Sequence, residues 1–385
     1  MLEKALSGGR RYWVWIFTLL GVIGAGMIAY FFQLKMGLSI TGMSRDVSWG
    51  FYIAQFTYLV GVAASAVMVV LPYYLHHHEK FKRIILFGEF LAVSAVVMCV
   101  LFIFVDLGQP MRVMNVLLHP TPNSVMFWDM VVLMGYLILN LVIGWTTLGA
   151  ERIGYPTAKW VKPLIYLSIP WAVSIHTVTA FLYAGLPGRH LWLTAIMAAR
   201  FLASAFAAGP ALLILLCLMV HRLTGFDVGK DGIRSLSKVV AYAMIANVFF
   251  YLLEVFTAFY SGIPEATEPL KYLFVGLEGH NAIVPYMWTS GILAVISLVL
   301  LIVPKWRNNL KILPFALIAV FLSTWIDKGM GLVIGGFVPN PLGHVIEYSP
   351  TIPELLITVG VYGIGAFLLT VFYKIIVSVR REVAK

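Results

Sequence analysis

The densest group of chemically capable side chains lies in one short stretch between two apolar segments. This stretch contributes two carboxylates, an arginine, a histidine and a tryptophan: Asp106, Arg112, His119, Trp128 and Asp129. Carboxylates and imidazoles accept and release protons, and arginine donates hydrogen bonds in a fixed fork. The apolar neighbours consist almost entirely of Val, Leu, Ile and Phe. We therefore expect polar chemistry at this stretch. The apolar segments around it form a structural frame that holds it in place.

The frame has the composition of a membrane protein. Hydrophobic residues make up 61% and charged residues 11% of the 385 residues, whereas soluble proteins average about 25% charged residues. A transmembrane helix needs about 20 apolar residues, so we predict an all-α integral membrane protein with ten spans. They lie near 12–32, 49–75, 84–105, 127–148, 163–185, 195–220, 239–262, 282–303, 312–326 and 354–377. The N-terminus has no small-residue cleavage site, so no cleavable signal peptide is expected.

The distribution of Lys and Arg predicts the orientation. With both termini inside, 20 of the 27 basic residues fall on the inner side, six fall in outer loops, and Arg200 lies in a span. Cytoplasmic loops carry an excess of Lys and Arg. The termini are therefore predicted to be cytoplasmic, and the net charge of +10 is an orientation signal rather than a footprint for nucleic acid.

This topology collects the polar residues of the spans toward the outer side. A charged group that faces lipid costs several kcal/mol, so such groups normally face the interior or a wet cavity. The predicted spans place these polar and aromatic residues as follows: Trp49, Tyr52 and Gln55 at the start of span 2, Asp106 at the end of span 3, Asp129 at the start of span 4, His176 in span 5, Glu254 in span 7, and Asp327 and Lys328 at the end of span 9.

Simpler structural interpretations remain open for some of them. His176 could be either a core histidine hydrogen-bonded to a neighbouring helix or a ligand or proton-transfer group. Asp106 has three open roles: a helix cap, a partner of Arg112, or part of a site. Glu254 lies well inside a span and needs a partner or a proton.

The histidines and cysteines argue against a metal cofactor in this chain. A haem with two histidine ligands needs two imidazoles at matching depth, and of nine histidines only His176 is clearly within a span. His76, His77 and His78 lie in a basic inner loop and fit solvated charge or anionic-lipid contact. Cys99 and Cys217 fall inside spans without metal spacing. We expect neither haem nor an iron–sulfur cluster here.

This set of residues suits the oxidation of a quinol. Such a site needs an aromatic groove for the ring, hydrogen-bond partners for two oxygens, and proton acceptors. The candidates are Asp106, Asp129 and His176 as proton acceptors, Tyr52, Gln55 and Arg112 as oxygen partners, and Trp49 and Trp128 as ring walls. Without metal ligands of its own, the chain must pass electrons to a partner on the outer face.

Several motifs resemble one known family. They are Val47–Ala54 around Trp49 and Tyr52, Asp106–Arg112 followed by His119–Pro122, Ser174–Val178 around His176, and Trp325–Leu332 continuing through Gly336 to Thr351. The chain is similar, over essentially its whole length, to the polysulfide reductase membrane subunits, the NrfD/PsrC family. Its C-terminal block resembles the branch that contains the HybB and DsrP subunits.

The resemblance implies one membrane domain over 1–385, with two four-helix bundles flanked by spans 1 and 10. The bundles would be spans 2–5 at 49–185 and spans 6–9 at 195–326. It further implies an exchangeable menaquinone in the outer half of the first bundle. The implied partners are a ferredoxin-like iron–sulfur protein on the outer face, a multihaem cytochrome c, and further redox subunits. A link to dissimilatory sulfite or sulfate reduction and a place in the cytoplasmic membrane follow from the same resemblance.

Trp49, Asp106, Arg112 and His176 match motif positions of the family, whereas Tyr52, Gln55, His119, Trp128 and Asp129 are placed by predicted geometry. Glu254, Asp327 and Lys328 are expected to form a proton route in the second bundle or a relic of duplication. Gln109 occupies a position where arginine is common in the family. A second cation facing the quinone is therefore in doubt in this chain. The alternative function is a secondary transporter or proton channel using the same carboxylates.

Overall fold

Ten long apolar helices dominate the computed structural model, which describes residues 1–63 and 65–383. Each is long enough to cross a membrane. Spans 1 to 10 are Arg10–Ile40, Phe51–Tyr74, Ile85–Asp106, Val125–Ile153, Val161–Ala184, Met197–Thr224, Lys230–Ser261, Val284–Ile302, Leu313–Gly335 and Ile352–Val383. The prediction of an all-α protein with ten spans is confirmed, and the chain is a multi-pass integral membrane protein.

The two faces of the helical assembly are distinguished by the chain termini. Lys4 forms a 2.7 Å ion pair with Glu382, so both termini share one face, which we call the terminal face. The opposite face is called the Asp106 face, because span 3 ends there at Asp106. The connections before span 2 and after spans 3, 5 and 9 therefore meet on the Asp106 face.

Span 9 differs from its predicted form. The predicted bounds end it at 326, with Asp327 and Lys328 at the outer end, although its short length left open a continuation into the Gly-rich run after Lys328. The helix does continue to Gly335, through a π-helical segment, Trp325–Gly331. A π-helix widens each turn by one residue and is often found at functional sites. Because the helix continues, Asp327 and Lys328 lie inside the span, and Lys328 is buried.

Span 2 forms the centre of the assembly. In its most apolar stretch 94% of the residues are buried, against 22% in spans 1 and 8. Span 2 packs against spans 3, 5, 6 and 9, including the π-helical segment. It therefore lies between the two groups that the family resemblance implies. The neighbours 2–3, 3–4 and 4–5 and the neighbours 6–7, 7–8, 8–9 and 6–9 are in contact, and the division into two bundles remains an interpretation.

Spans 1 and 10 form a close pair beside spans 3 and 4. Gly26 of span 1 meets Gly360 of span 10, and a Cβ atom added to Gly26 would lie 2.6 Å from the Cα of Gly360. Glycine pairs of this kind let two helix backbones approach closely in membranes. Span 10 extends this contact to spans 3 and 4. The pair therefore covers the outside of the group to which Asp106 belongs.

Candidate functional site

An aromatic pocket of about 320 Å³ opens on the Asp106 face. It lies between the segment before span 2, the connection after span 5 and the segment after span 9. Its lining consists of Ser48, Trp49, Leu186, Pro187, Gly188, Arg189, Trp192 and Phe337. Ligand pockets typically have volumes of about 300 to 1,000 Å³ and apolar walls with a few polar groups. This pocket has the size and lining to take a planar ring.

Stacked and perpendicular rings form the pocket wall. The rings of Trp49 and Trp192 stack with their centroids 5.7 Å apart. Phe337 meets both at right angles, with centroid distances of 6.1 and 5.1 Å. The indole of Trp192 donates a 2.7 Å hydrogen bond to the carbonyl of Leu332 in span 9. The rings are thus fixed in place by packing and by a hydrogen bond to a span.

Arg189 supplies the charged group of the pocket. Its guanidinium donates to the carbonyls of Phe337 and Asp46, at 3.3 and 3.2 Å. It also lies 4.5 Å from the centre of the Phe337 ring. These contacts hold together three chain segments that are far apart in sequence. Arginine has further N–H groups that remain available to a ligand oxygen.

Tyr183 forms the floor below the two indoles. Its ring meets Trp49 and Trp192 edge-on, at centroid distances of 5.5 and 5.0 Å. Its buried hydroxyl hydrogen-bonds with Thr57 of span 2. One turn earlier on span 5, Thr179 donates a 2.6 Å hydrogen bond to the carboxylate of Asp129. A short strip of buried polar groups therefore leads from the pocket floor to a buried carboxylate.

His176 and Lys328 lie near this strip, and neither has a strong partner. His176 is fully buried, and neither of its ring nitrogens has a hydrogen-bond partner in the described part of the chain. The ammonium of Lys328 lies 4.2 Å from the centre of the Phe201 ring and donates a long 3.4 Å hydrogen bond to the Phe201 carbonyl. Among residues 1–63 and 65–383, no carboxylate is within ion-pairing distance of Lys328.

Asp106 lies in a second polar cluster, on the span 1 side of span 2. The hydroxyl of Tyr52 donates to Gln33 at 2.7 Å, and Gln33 donates to the carbonyl of Val105 at 2.6 Å. One carboxylate oxygen of Asp106 is buried without a partner. Gln33 is a polar residue near the end of an apolar span, and its role was not recognised from the sequence. Tyr52 and Asp106 are thus near each other, but they lie apart from the aromatic pocket.

Four of the predicted quinone residues lie elsewhere. Gln55 accepts hydrogen bonds from Trp325 and Tyr362, both at 2.8 Å, and so joins span 2 to spans 9 and 10. Trp128 is 48% exposed and donates to the carbonyl of Pro122. Arg112 and His119 are exposed. In the described residues Arg112 makes no ion pair, so the suggested pair with Asp106 is not formed: the short 3₁₀ turn Pro110–Arg112 directs Arg112 into solvent.

A third cluster joins spans 6, 7 and 9 through one buried guanidinium. Arg200 donates to both carboxylate oxygens of Asp327, at 2.8 and 3.0 Å, and forms an ion pair with Glu254. It also lies 4.8 Å from the centre of the Tyr251 ring. The sequence placed Arg200 in a span but gave it no role. An arginine within an apolar span was the sequence feature that indicated such a cluster.

Most of the predicted residues thus fall into three separate clusters, and Gln55, Arg112, His119 and Trp128 lie outside them. Only Trp49 lines the pocket, while Asp129 and His176 lie below it and Tyr52 and Asp106 beside it. The pocket residues Arg189, Trp192 and Phe337 were missed, because they come from connections whose approach depends on the tertiary fold. In the described part of the chain no three His, Cys, Asp or Glu side chains are grouped to hold a metal ion.

Fold and site define a class: a multi-pass membrane protein with an aromatic pocket at one membrane face and buried polar groups beneath it. The family model described as "Polysulphide reductase, NrfD" matches residues 39–326. That match covers most of the chain and includes spans 2 to 8. The protein belongs to the NrfD polysulphide reductase family.

Several relatives match this chain over nearly its full length. A Halobacterium salinarum protein, provisionally named as a membrane subunit of dimethyl sulfoxide reductase, is 27% identical, over 93% of this chain and 89% of the relative. The Hdr-like menaquinol oxidoreductase integral membrane subunit of Archaeoglobus fulgidus is 22% identical, over 97% and 95%. The integral membrane subunit of menaquinone reductase from Nitratidesulfovibrio vulgaris is 20% identical, over 89% and 93%.

Proposed function

We propose that this chain is the quinone-binding membrane subunit of a redox complex and that menaquinol binds in the Trp49 pocket. The pocket itself is the observation that carries the proposal, because stacked indoles, Phe337 and Arg189 suit a planar ring with two oxygens. The name of the Archaeoglobus fulgidus relative, a menaquinol oxidoreductase subunit, supports this choice of ligand.

Menaquinol would supply two electrons and two protons. In the pocket, Trp49 offers one ring face to the quinol, Trp192 is stacked on Trp49 and buried, and Arg189 donates to one ring oxygen. The Tyr183 hydroxyl with Thr57 lies beneath the ring, and Asp129 accepts the proton that passes along the strip through Thr179. His176 serves as a further proton acceptor, since neither ring nitrogen has a hydrogen-bond partner in the part of the chain that the structure describes. The remaining predicted quinone residues, Tyr52, Gln55, Asp106 and Trp128, lie outside the pocket lining and take no direct part in holding the ring.

The electrons leave to a partner, because the described residues group no metal ligands in this chain. We propose that a ferredoxin-like iron–sulfur subunit docks on the Asp106 face, where Arg112 and His119 are exposed. A multihaem cytochrome c and further redox subunits complete the proposed complex, with a link to sulfite or sulfate reduction. The excess of Lys and Arg on the terminal face favours a cytoplasmic position for that face in the cytoplasmic membrane.

The third cluster is proposed as a proton-transfer group of the same subunit. Arg200 holds the carboxylates of Glu254 and Asp327, and Lys328 lies on the next position of the π-helical segment. One oxygen of Glu254 has no partner among the described residues, so it is free to bind a proton.

The test measures the binding of a fluorescent hydroxyquinoline N-oxide, a quinol analogue, by the quenching of its own fluorescence. Replacing Trp49 by Leu removes one ring face and is expected to weaken binding about 10-fold or more. Trp15→Leu is the matched control, since Trp15 lies on the exposed side of span 1. Asp106→Asn and His176→Ala, measured in parallel, report whether the neighbouring clusters contribute.

Unchanged affinity in Trp49→Leu would move the site away from the pocket. Purification from the native membrane provides the second test, with the expected result that iron–sulfur and cytochrome subunits accompany the chain. A chain that consistently purified alone and bound no analogue would instead favour a secondary transporter or proton channel.

A further inference from the structure

Glu89 is a buried carboxyl that none of the three clusters includes. It lies one turn into span 3, near the terminal face, and is 1% exposed. One of its oxygens has no hydrogen-bond partner, and no Lys, Arg or His of the described residues pairs with it. An ionised carboxylate buried without a partner is strongly disfavoured in an apolar medium, so the group takes up a proton.

Glu89 fits into a space beside span 4, and the groups around its carboxyl are neutral. Gly144 of span 4 faces it, and a Cβ atom at that position would lie 3.1 Å from the carboxyl oxygen. One turn further along span 4, the buried hydroxyl of Thr147 also lacks a partner. The titratable groups that interact with Glu89 are the phenols of Tyr74 in span 2 and Tyr136 in span 4. None of these groups is a cation.

A second buried carboxyl shows how this protein holds an anion. Glu354, at the start of span 10, is fully buried and accepts four hydrogen bonds. The donors are the backbone amides of Gly42 and Thr351 and the hydroxyls of Tyr348 and Thr351. Hydrogen bonds from several donors favour the charged form of a carboxylate. Glu89 has no comparable set of donors among the described residues, although both carboxyls are buried.

Polar groups connect Glu89 to the terminal face. Glu151 lies at that face in the last turn of span 4, where it pairs with Arg380 at 2.9 Å. Thr147 precedes Glu151 by four residues, so the two share one side of the helix. Tyr74 is the last residue of span 2 and so lies toward the same face. In the other direction, the apolar residues 130–135, of which Val132 and Leu133 are buried, separate Tyr136 from Asp129 by about 10 Å along the helix.

We propose that Glu89 is a proton-binding site that exchanges its proton with the terminal face through Glu151, Tyr74 and Thr147. The site lies in the opposite half of the membrane from the Trp49 pocket, and its proton occupancy does not depend on quinol binding there. Its ligand is a single proton, taken up at the membrane face that carries both termini.

Infrared difference spectroscopy of the whole complex tests the protonation directly. A protonated carboxyl gives a separate carbonyl stretching band, and the difference spectrum between wild type and Glu89→Gln should contain one such band at neutral pH. The band should shift in heavy water, because the proton exchanges. Glu354→Gln is the matched control and should remove no protonated-carboxyl band.

A spectrum with no such band at Glu89, or one that does not shift in heavy water, would overturn the proposal. Gln mimics a neutral carboxyl in size and hydrogen bonding, so Glu89→Gln should retain the wild-type unfolding temperature. If Glu89→Gln folds poorly, Glu89→Asp replaces it. That variant should keep a protonated-carboxyl band at a frequency shifted from the wild-type band. Quinol-analogue binding should be unchanged in Glu89→Gln, so a failure of the pocket proposal is seen separately.

Discussion

Arg200 and Asp327 are joined by two hydrogen bonds of 2.8 and 3.0 Å, and Arg200 is only 6% exposed. The same guanidinium also holds Glu254 of span 7. One side chain of span 6 therefore fixes both neighbouring spans, and the π-helical segment of span 9 is what carries Asp327 to it. Two carboxylates share a single cation here, which makes Arg200 the residue on which the cluster depends.

Replacing Arg200 by Met should destabilise the protein by about 3 to 5 kcal/mol, because it leaves two buried carboxylates without their partner. Thermal unfolding in detergent measures the change. Arg222→Met is the control, because Arg222 is exposed near the end of the same helix, and its unfolding temperature should equal that of the wild type. Equal stability of Arg200→Met and Arg222→Met would contradict the assigned role.

The contact between Gly26 and Gly360 predicts a steric effect at one position of span 1. Gly26→Val should destabilise the packing of spans 1 and 10 by about 1 to 3 kcal/mol, since the new side chain meets the Gly360 backbone. Gly21→Val on the same span meets no atom within 4 Å. Unfolding temperatures of the two variants should therefore differ, and a similar loss in both would show that helix propensity, and not the contact, is responsible.

Tyr348 should stabilise the connection over the start of span 2. Its hydroxyl donates to Glu354 at 2.6 Å and accepts from the amide of Phe51 at 2.7 Å. Tyr348→Phe should therefore cost about 1 to 3 kcal/mol. Hydrogen exchange at the Phe51 amide should rise in the variant, which identifies the bond that was lost.

The same residue predicts a pH dependence. Burial, and then the nearby Glu354 carboxylate, raise the pKa of Tyr348 above its ordinary value. A raised pKa in the folded state gives stability that is fully present below the ordinary phenol value of about 10 and is lost as the pH rises further. The difference between wild type and Tyr348→Phe should be constant through neutral pH and shrink only above that value. A difference that shrank between mildly acidic and neutral pH would point to another group.

Asp129 should affect turnover more than binding. Asp129→Asn removes the proposed proton acceptor, and quinol oxidation by the complex should fall about 100-fold or more. Thr179→Val removes only the 2.6 Å hydrogen bond to Asp129 and should give a smaller loss. Analogue affinity should stay near the wild-type value in both variants. Wild-type turnover in Asp129→Asn would place the proton acceptor at His176 or Asp106.

The sequence alone determined the frame of this protein. Twenty-residue apolar runs predict spans because backbone groups in lipid must be satisfied within a helix, and all ten predicted spans are present. Motifs around Trp49, Asp106 and His176 indicated the family, which the family model confirms. The sequence also indicated that buried polar groups would be functional, because such groups are costly in lipid.

Only the tertiary structure decided which of those groups meet. Trp49 joins Trp192 and Phe337 because three connections converge on one face, and neither spacing nor periodicity encodes that approach. Asp327 reaches Arg200 through a π-helical turn, which a hydropathy pattern does not reveal, since the pattern records only which residues are apolar. Glu89 and Glu354 look alike in the sequence as single carboxyls near span ends. Among the described residues, Glu89 has neither a cation nor a hydrogen-bond donor beside it, whereas Glu354 accepts four hydrogen bonds. This difference arises from the packing of segments that are distant in sequence.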